Sequence, residues 1–218
     1  MATTYLNLVN DVLIRLREDQ VQTINENAYS ALIARLINDA KREVEDAWSW
    51  DCLRTTYSIN TVSGTFNYTL TGAGTRFRLI QATNDTEDWF LEYRPVAWMT
   101  ERLILNTAPQ QGPPEVYNFN GVDSNGDSQV DVYPIPDGAN ILRFDVVKPE
   151  DELESDTDTT TLPKSPIVLL AWAKAIEERG EDGGVNVSSQ YAVAKQSLGD
   201  HIAIEAGRRP DETTWYPY

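Results

Sequence analysis

The chain is short of the residues on which most catalytic and membrane machinery depends. It has one cysteine and one histidine in 218 residues. Cys52 cannot close an internal disulfide, and no Cys or His lies near it to complete a zinc site, so a half-buried free thiol made in a reducing compartment is expected. A single histidine excludes a His-rich metal centre and any two-histidine mechanism. His201 falls inside a helical pattern beside Asp200, and no G-x-S-x-G elbow exists, so a Ser–His–Asp triad has no support. There is no phosphate loop and no dinucleotide fingerprint, because Gly180, Gly183 and Gly184 do not follow a strand. No stretch approaches the ~20 apolar residues of a membrane span. The opening MATTYLNLVNDVL has no basic n-region and is broken by Asn7, Asn10 and Asp11, so it is not read as a signal peptide.

Basic residues are scarce as well. Lys and Arg number 18 against 34 Asp and Glu, a net charge of −16. A protein that grips nucleic acid by its phosphates needs a basic footprint, and this chain lacks one. Binding to anionic membranes is disfavoured for the same reason. A surface past which DNA slides without sticking is not excluded, since like charge repels the backbone.

What is present is a chain of 41% hydrophobic residues, long enough for one large or two small domains with a real core. Its two ends read as helices. Tyr5, Leu8, Val9, Val12, Leu13 and Leu16 form one apolar stripe that Thr3 or Thr4 can cap. A second stripe follows Asn25-Glu26-Asn27 and runs from Tyr29 to Trp48, with Arg35, Asp39, Arg42, Glu43 and Asp46 opposite. A third helix has Ser165 as N-cap, Pro166 at its first position and Gly180 as its stop. Its IVLLAWAKAI run is apolar nearly all round and should be the most buried. A fourth starts near Ser188-Ser189 and ends near Ala206; Gly199 inside it suggests a close helix–helix contact.

Between Arg54 and Lys148 the pattern changes to short β-favouring runs separated by turns. Candidate strands are 54–61, 65–71, 76–83, 88–94, 114–120, 128–133 and 140–148. A helical piece from Pro95 to Asn106 interrupts them. The fold class is therefore α+β: a helical bundle formed from the N- and C-terminal segments, with an inserted small antiparallel β-sandwich or barrel. The expected organisation is a helical module of 1–53 and 162–208, a β module of 54–148, an exposed acidic connector of 149–161 and an extended tail of 209–218.

Three sets of residues are candidates for function. In GVDSNGDSQVDVYPIP, the acids and amide Asp123, Asn125 and Asp127 sit two apart, like the first ligands of a calcium loop. The required glycine comes two places early and the closing carboxylate is missing, so a hairpin turn centred on Asn125-Gly126 is the stronger reading. Asp123/Asp131 and Glu87/Asp88 are of the type a two-carboxylate hydrolase uses, but nothing in their pattern singles them out. Of the six tryptophans, Trp48, Trp50, Trp98 and Trp172 read as core, and Trp89 starts a strand. Trp215, with Tyr216 and Tyr218, lies in the terminal RRPDETTWYPY. That segment is too short to bury them in a core of its own, which marks it as a segment that docks either on the parent domain or on a neighbouring subunit, with the aromatics as interface anchors.

In order along the chain, LNLVNDVLIRL, INDAKREVEDAWSWDCLR, GPPEVYNFNGVDSNG, VDVYPIPDG, SPIVLLAWAKAIEERGEDGG and RRPDETTW resemble the head–tail adaptor (connector) proteins of short-tailed bacteriophages. The resemblance spans nearly the whole chain. One departure is LRED at Leu16–Asp19, where a glycine is expected to close the first helix. The resemblance implies a virion structural protein, not an enzyme, that uses no cofactor. It implies a homo-oligomeric ring, dodecameric, between the portal protein and the tail nozzle protein, which helps dock tail fibres. DNA would pass through without specific binding. It also implies a place at the head–tail junction of the virion after synthesis in the host cytoplasm. Crowding acidic copies into a ring is tolerable: two unit charges 4 Å apart in water repel by about 1 kcal/mol, and salt screens them over about 8–10 Å. The alternative is a β module that binds calcium or a glycan, joined to a helical assembly domain.

Overall fold

The computed structural model describes residues 3–180 and 185–208. The chain divides into two compact units, one of Met1–Leu53 with Pro149–Tyr218 and the other of Arg54–Lys148.

In the first unit, β1 (Thr3–Thr4) leads into α1 (Tyr5–Arg15), whose N-cap Thr4 side chain accepts from the Asn7 N–H. The helix ends without glycine. The N–H groups of Arg17 and Glu18 bond the carbonyls of Ile14 and Leu13, and Arg17 itself takes a φ of 60°. This is the left-handed closing motif usually given to glycine. Arg17 therefore fills the role for which LRED offers no glycine, at a steric cost of about 1 kcal/mol.

α2 (Ala28–Ala47) begins with a reciprocal capping box between Asn27 and Ser30. Its stripe packs on α1, where the Tyr5 hydroxyl donates to the Ala34 carbonyl at 2.6 Å and accepts from Asn38 at 3.1 Å. Burial pushes the Tyr5 pKa up to about 12, so that hydroxyl stays a donor at any ordinary pH.

α4 (Lys164–Arg179) packs against α1, α2 and α5 (Val185–Ala206) and is heavily buried, with Ile167, Val168, Leu170 and four small or cyclic residues inside. It starts two residues earlier than the sequence suggested. Pro163 is the N-cap and Ser165 does not cap it, while Pro166 falls at the third position, where its missing N–H costs nothing. Gly180 closes it at φ 62°. Arg179 in the last turn donates to the Tyr29 hydroxyl at 2.8 Å and pairs with Glu18, tying three elements together. Gly199 in α5 is exposed, and a Cβ there would meet nothing within 4 Å, so it marks no close contact among the described residues.

The acidic stretch after Pro149 is stitched down by polar contacts. The Lys41 ammonium, 3% exposed, reaches the Glu45 carboxylate at 2.8 Å and the carbonyls of Asp151 at 2.9 Å and Glu150 at 3.2 Å. Asn38 pairs with both backbone groups of Leu153, and Asp156 accepts from the Ile24 N–H. β10 (Thr159–Thr160) pairs antiparallel with β1. Two-residue strands carry no readable period, so this pair left no signal in the sequence.

The second unit contains β2 (Arg54–Asn60), β3 (Asn67–Thr69), β4 (Arg78–Asn84), β5 (Trp89–Phe90), β6 (Glu92–Tyr93), α3 (Val96–Leu103), β7 (Val116–Val122), β8 (Ser128–Tyr133) and β9 (Ile141–Val147). They form two four-stranded sheets, ordered β2-β9-β4-β5 and β3-β8-β7-β6. The inner faces share one core. Along β9, Leu142, Phe144 and Val146 are buried while Ile141, Arg143 and Asp145 point outward, the period of two that a half-buried strand requires. Val130, Val132 and Tyr117 face them from the other sheet. The unit is thus a sandwich rather than a closed barrel.

One pair departs from the antiparallel expectation, because β6 runs parallel to β7. Parallel neighbours need a long crossover. The helix that interrupts the strands, α3, lies in that crossover.

Candidate functional site

The Asp123–Asp127 loop joins β7 to β8 as a turn. Gly126 N–H bonds the Asp123 carbonyl, and Gly126 alone takes positive φ, 85°. The two central residues are therefore Ser124 and Asn125, with Gly126 closing a three-residue loop rather than sharing a two-residue turn with Asn125. Its acids have structural partners. One Asp123 oxygen accepts from the N–H groups of Asn125 at 2.8 Å and Asp127 at 2.9 Å. The Asp127 carboxylate turns to a neighbouring loop and accepts from the N–H groups of Gly72 at 2.8 Å and Gly74 at 3.0 Å, which hold it below the usual carboxylate range. Among the described residues no cluster of three or more His, Cys, Asp or Glu could hold a metal ion.

Of the candidate hydrolytic carboxylates, Asp123 and Asp131 are held in structural hydrogen bonds. Asp131 is buried and accepts from Asn67 at 2.7 Å and Asn120 at 2.8 Å. Asp88 sits at φ 60° in the turn between β4 and β5. His201 has its Nδ1 within 2.7 Å of the Ser197 carbonyl one helical turn away. Cys52 is exposed rather than half-buried at the residue level, yet desolvation pushes its thiol pKa up.

Of the tryptophans expected in the core, only Trp50 is fully buried, donating to the Val44 carbonyl at 2.7 Å. Trp48, Trp89, Trp98 and Trp172 are partly exposed. Trp215, Tyr216 and Tyr218 lie outside the described residues.

The surface of the β unit carries a feature the sequence reading missed. A cleft of about 490 Å³ has Trp89, Trp98, Val116 and Tyr133 as its apolar lining, with Arg94 and Arg102 at its rim. Trp98 stands edge-on to Tyr133 with centroids 5.3 Å apart. The guanidinium groups of Arg94 and Arg102 lie 5.8 and 5.5 Å from its ring centroid, within cation–π reach. The Trp89 indole N–H donates to the Pro114 carbonyl. Phe90 beside it is 70% exposed. The available signal was spacing: Arg94, Trp98 and Arg102 stand four apart around a helix start.

The chain is a two-unit α+β protein, and the comparisons give its class: a structural adaptor of a bacteriophage. The model described as SU10 adaptor protein matches residues 3–214, and the chain belongs to that family of phage head–tail adaptors. A comparison with curated proteins finds no match.

Proposed function

We propose that this adaptor is a non-catalytic ring subunit, twelve copies to a ring, seated between the portal protein and the tail nozzle at the head–tail junction. The family match over nearly the whole chain carries this reading. The helical unit packs against neighbouring copies and the portal, and the β unit faces the nozzle and tail fibres. Trp215, Tyr216 and Tyr218 reach an adjacent copy or the portal. DNA passes through the ring unread, since a net charge of −16 gives its backbone nothing to adhere to. The subunit is made in the host cytoplasm and carries neither metal nor cofactor.

Electron microscopy of the purified protein mixed with portal tests the reading. Rings capping the portal are expected, and particles of bare portal would refute it. Deleting residues 209–218 should leave the subunit folded but weaken ring or portal attachment. Undiminished attachment by the truncated chain would remove the tail from the interface.

A further inference from the structure

The cleft on the β unit has a construction that the adaptor role does not by itself explain. Its lining sets Trp89, Trp98 and Tyr133 beside charged side chains of both signs. Arg94 is paired with Glu92 at 2.7 Å, while Arg102 has no carboxylate partner among the described residues. Glu115 lies exposed on the same rim. In an acidic protein such a site repels further acidic surface less than the rest of the molecule does. It also offers partly exposed aromatic surface that a docked segment would cover, the residue type favoured as an interface anchor.

The terminal segment has matching chemistry. Residues 209–218 read RPDETTWYPY, with Asp211 and Glu212 three to four residues ahead of Trp215. Ten residues, if fully extended, would span at most about 35 Å. Two prolines stiffen the segment and lower the entropy lost on docking.

The geometry points to this segment as the occupant: the 209–218 tail of one copy docks in the Trp98 cleft of another, with Trp215 on the aromatic lining and Asp211 or Glu212 against Arg102. This rests on the ring reading and names the surface that receives the tail.

A labelled peptide of residues 209–218 is titrated onto the full chain and followed by anisotropy. Saturable binding is expected. Arg102→Glu, a substitution at an exposed position, should weaken it at least tenfold, and a peptide carrying Asp211→Lys and Glu212→Lys should recover most of that loss on the Arg102→Glu protein. Trp98→Ala should also weaken binding, with circular dichroism checking that the chain is folded. No saturable binding, or binding indifferent to Arg102→Glu, overturns the proposal. If portal attachment is nevertheless lost on deleting residues 209–218, the tail works in the ring by another surface and only the cleft assignment falls. If the peptide occupies the cleft but no rings form on portal, the docking stands and the ring reading falls.

Discussion

Phe144 and Lys41 show how differently the two units are held. In the β unit, Phe144 is fully buried, with its ring 5.8 Å from Tyr117 and 6.3 Å from Phe119, among Leu142, Val130 and Val132. In the helical unit, an equally buried position is a charged amine bonded to a carboxylate and two carbonyls. The first arrangement depends on apolar area and tolerates no void. The second depends on every polar partner being present, because a buried charge left alone is costly. The charge inventory divides the same way. The β unit has 7 basic and 11 acidic residues, and the other unit has 11 and 23. Most of the acid surplus thus lies in the helical unit, and its return segment after Pro149 is pinned by backbone and amide contacts.

Truncating each anchor tests this contrast. Phe144→Ala should cost roughly 3–5 kcal/mol, the range for a buried aromatic removed without collapse. Lys41→Ala should cost about 3 kcal/mol, the lower end for breaking a buried ion pair. Both are read from denaturant unfolding. If Lys41→Ala proved nearly neutral, the polar seam would not be what holds the return segment.

A pH scan sharpens the same comparison. Burial raises the Glu45 pKa above its ordinary 4.5 despite Lys41. The folded state then holds a proton the unfolded chain has released, so this site's contribution declines as pH rises from about 4.5 through the raised value. At Asp145, partial burial pushes the pKa up, but hydrogen bonds from Thr56 and Gln81 and the charge of Arg143 outweigh it and hold it below 3.8. Its contribution is present above that value and lost as pH falls through the folded pKa. Glu45→Gln should flatten the first slope and Asp145→Asn the second, measured as unfolding free energy between pH 2 and 7 (about the range spanned by both groups).

Two backbone changes within the helical unit should stabilise it. Gly199→Ala should gain about 1 kcal/mol, since the site is helical, exposed and open. Arg17→Gly should gain about 0.5 kcal/mol, relief of the left-handed strain being offset by a more flexible unfolded chain. Thermal unfolding resolves both. Destabilisation by Arg17→Gly would mean that the arginine side chain contributes more than its backbone strain costs.

The α+β class and most elements were legible in the residues. The apolar stripes of α1 and α2, the glycine after Arg179 and the alternation through β9 are local patterns, and local patterns survive without knowledge of the fold. The Asp123–Asp127 loop was legible as a turn but not in its type, because Asn125 and Gly126 share a preference and only strand pairing decides which of them takes positive φ. Gly199 was misread because a glycine's neighbours depend on another helix's position.

The sequence by itself determined which stretches are helical and which are extended, and which face of the long elements is apolar, since capping, turn chemistry and periodicity act within a few residues. Tertiary structure alone decided the rest. It made β6 parallel to β7, joined Thr3 to Thr160, left Trp98 at the surface with an arginine on either side and buried Lys41 beneath the return segment. Each of these depends on residues far apart in the chain meeting in space, and that meeting is selected by the packing of the whole unit rather than by any stretch within it.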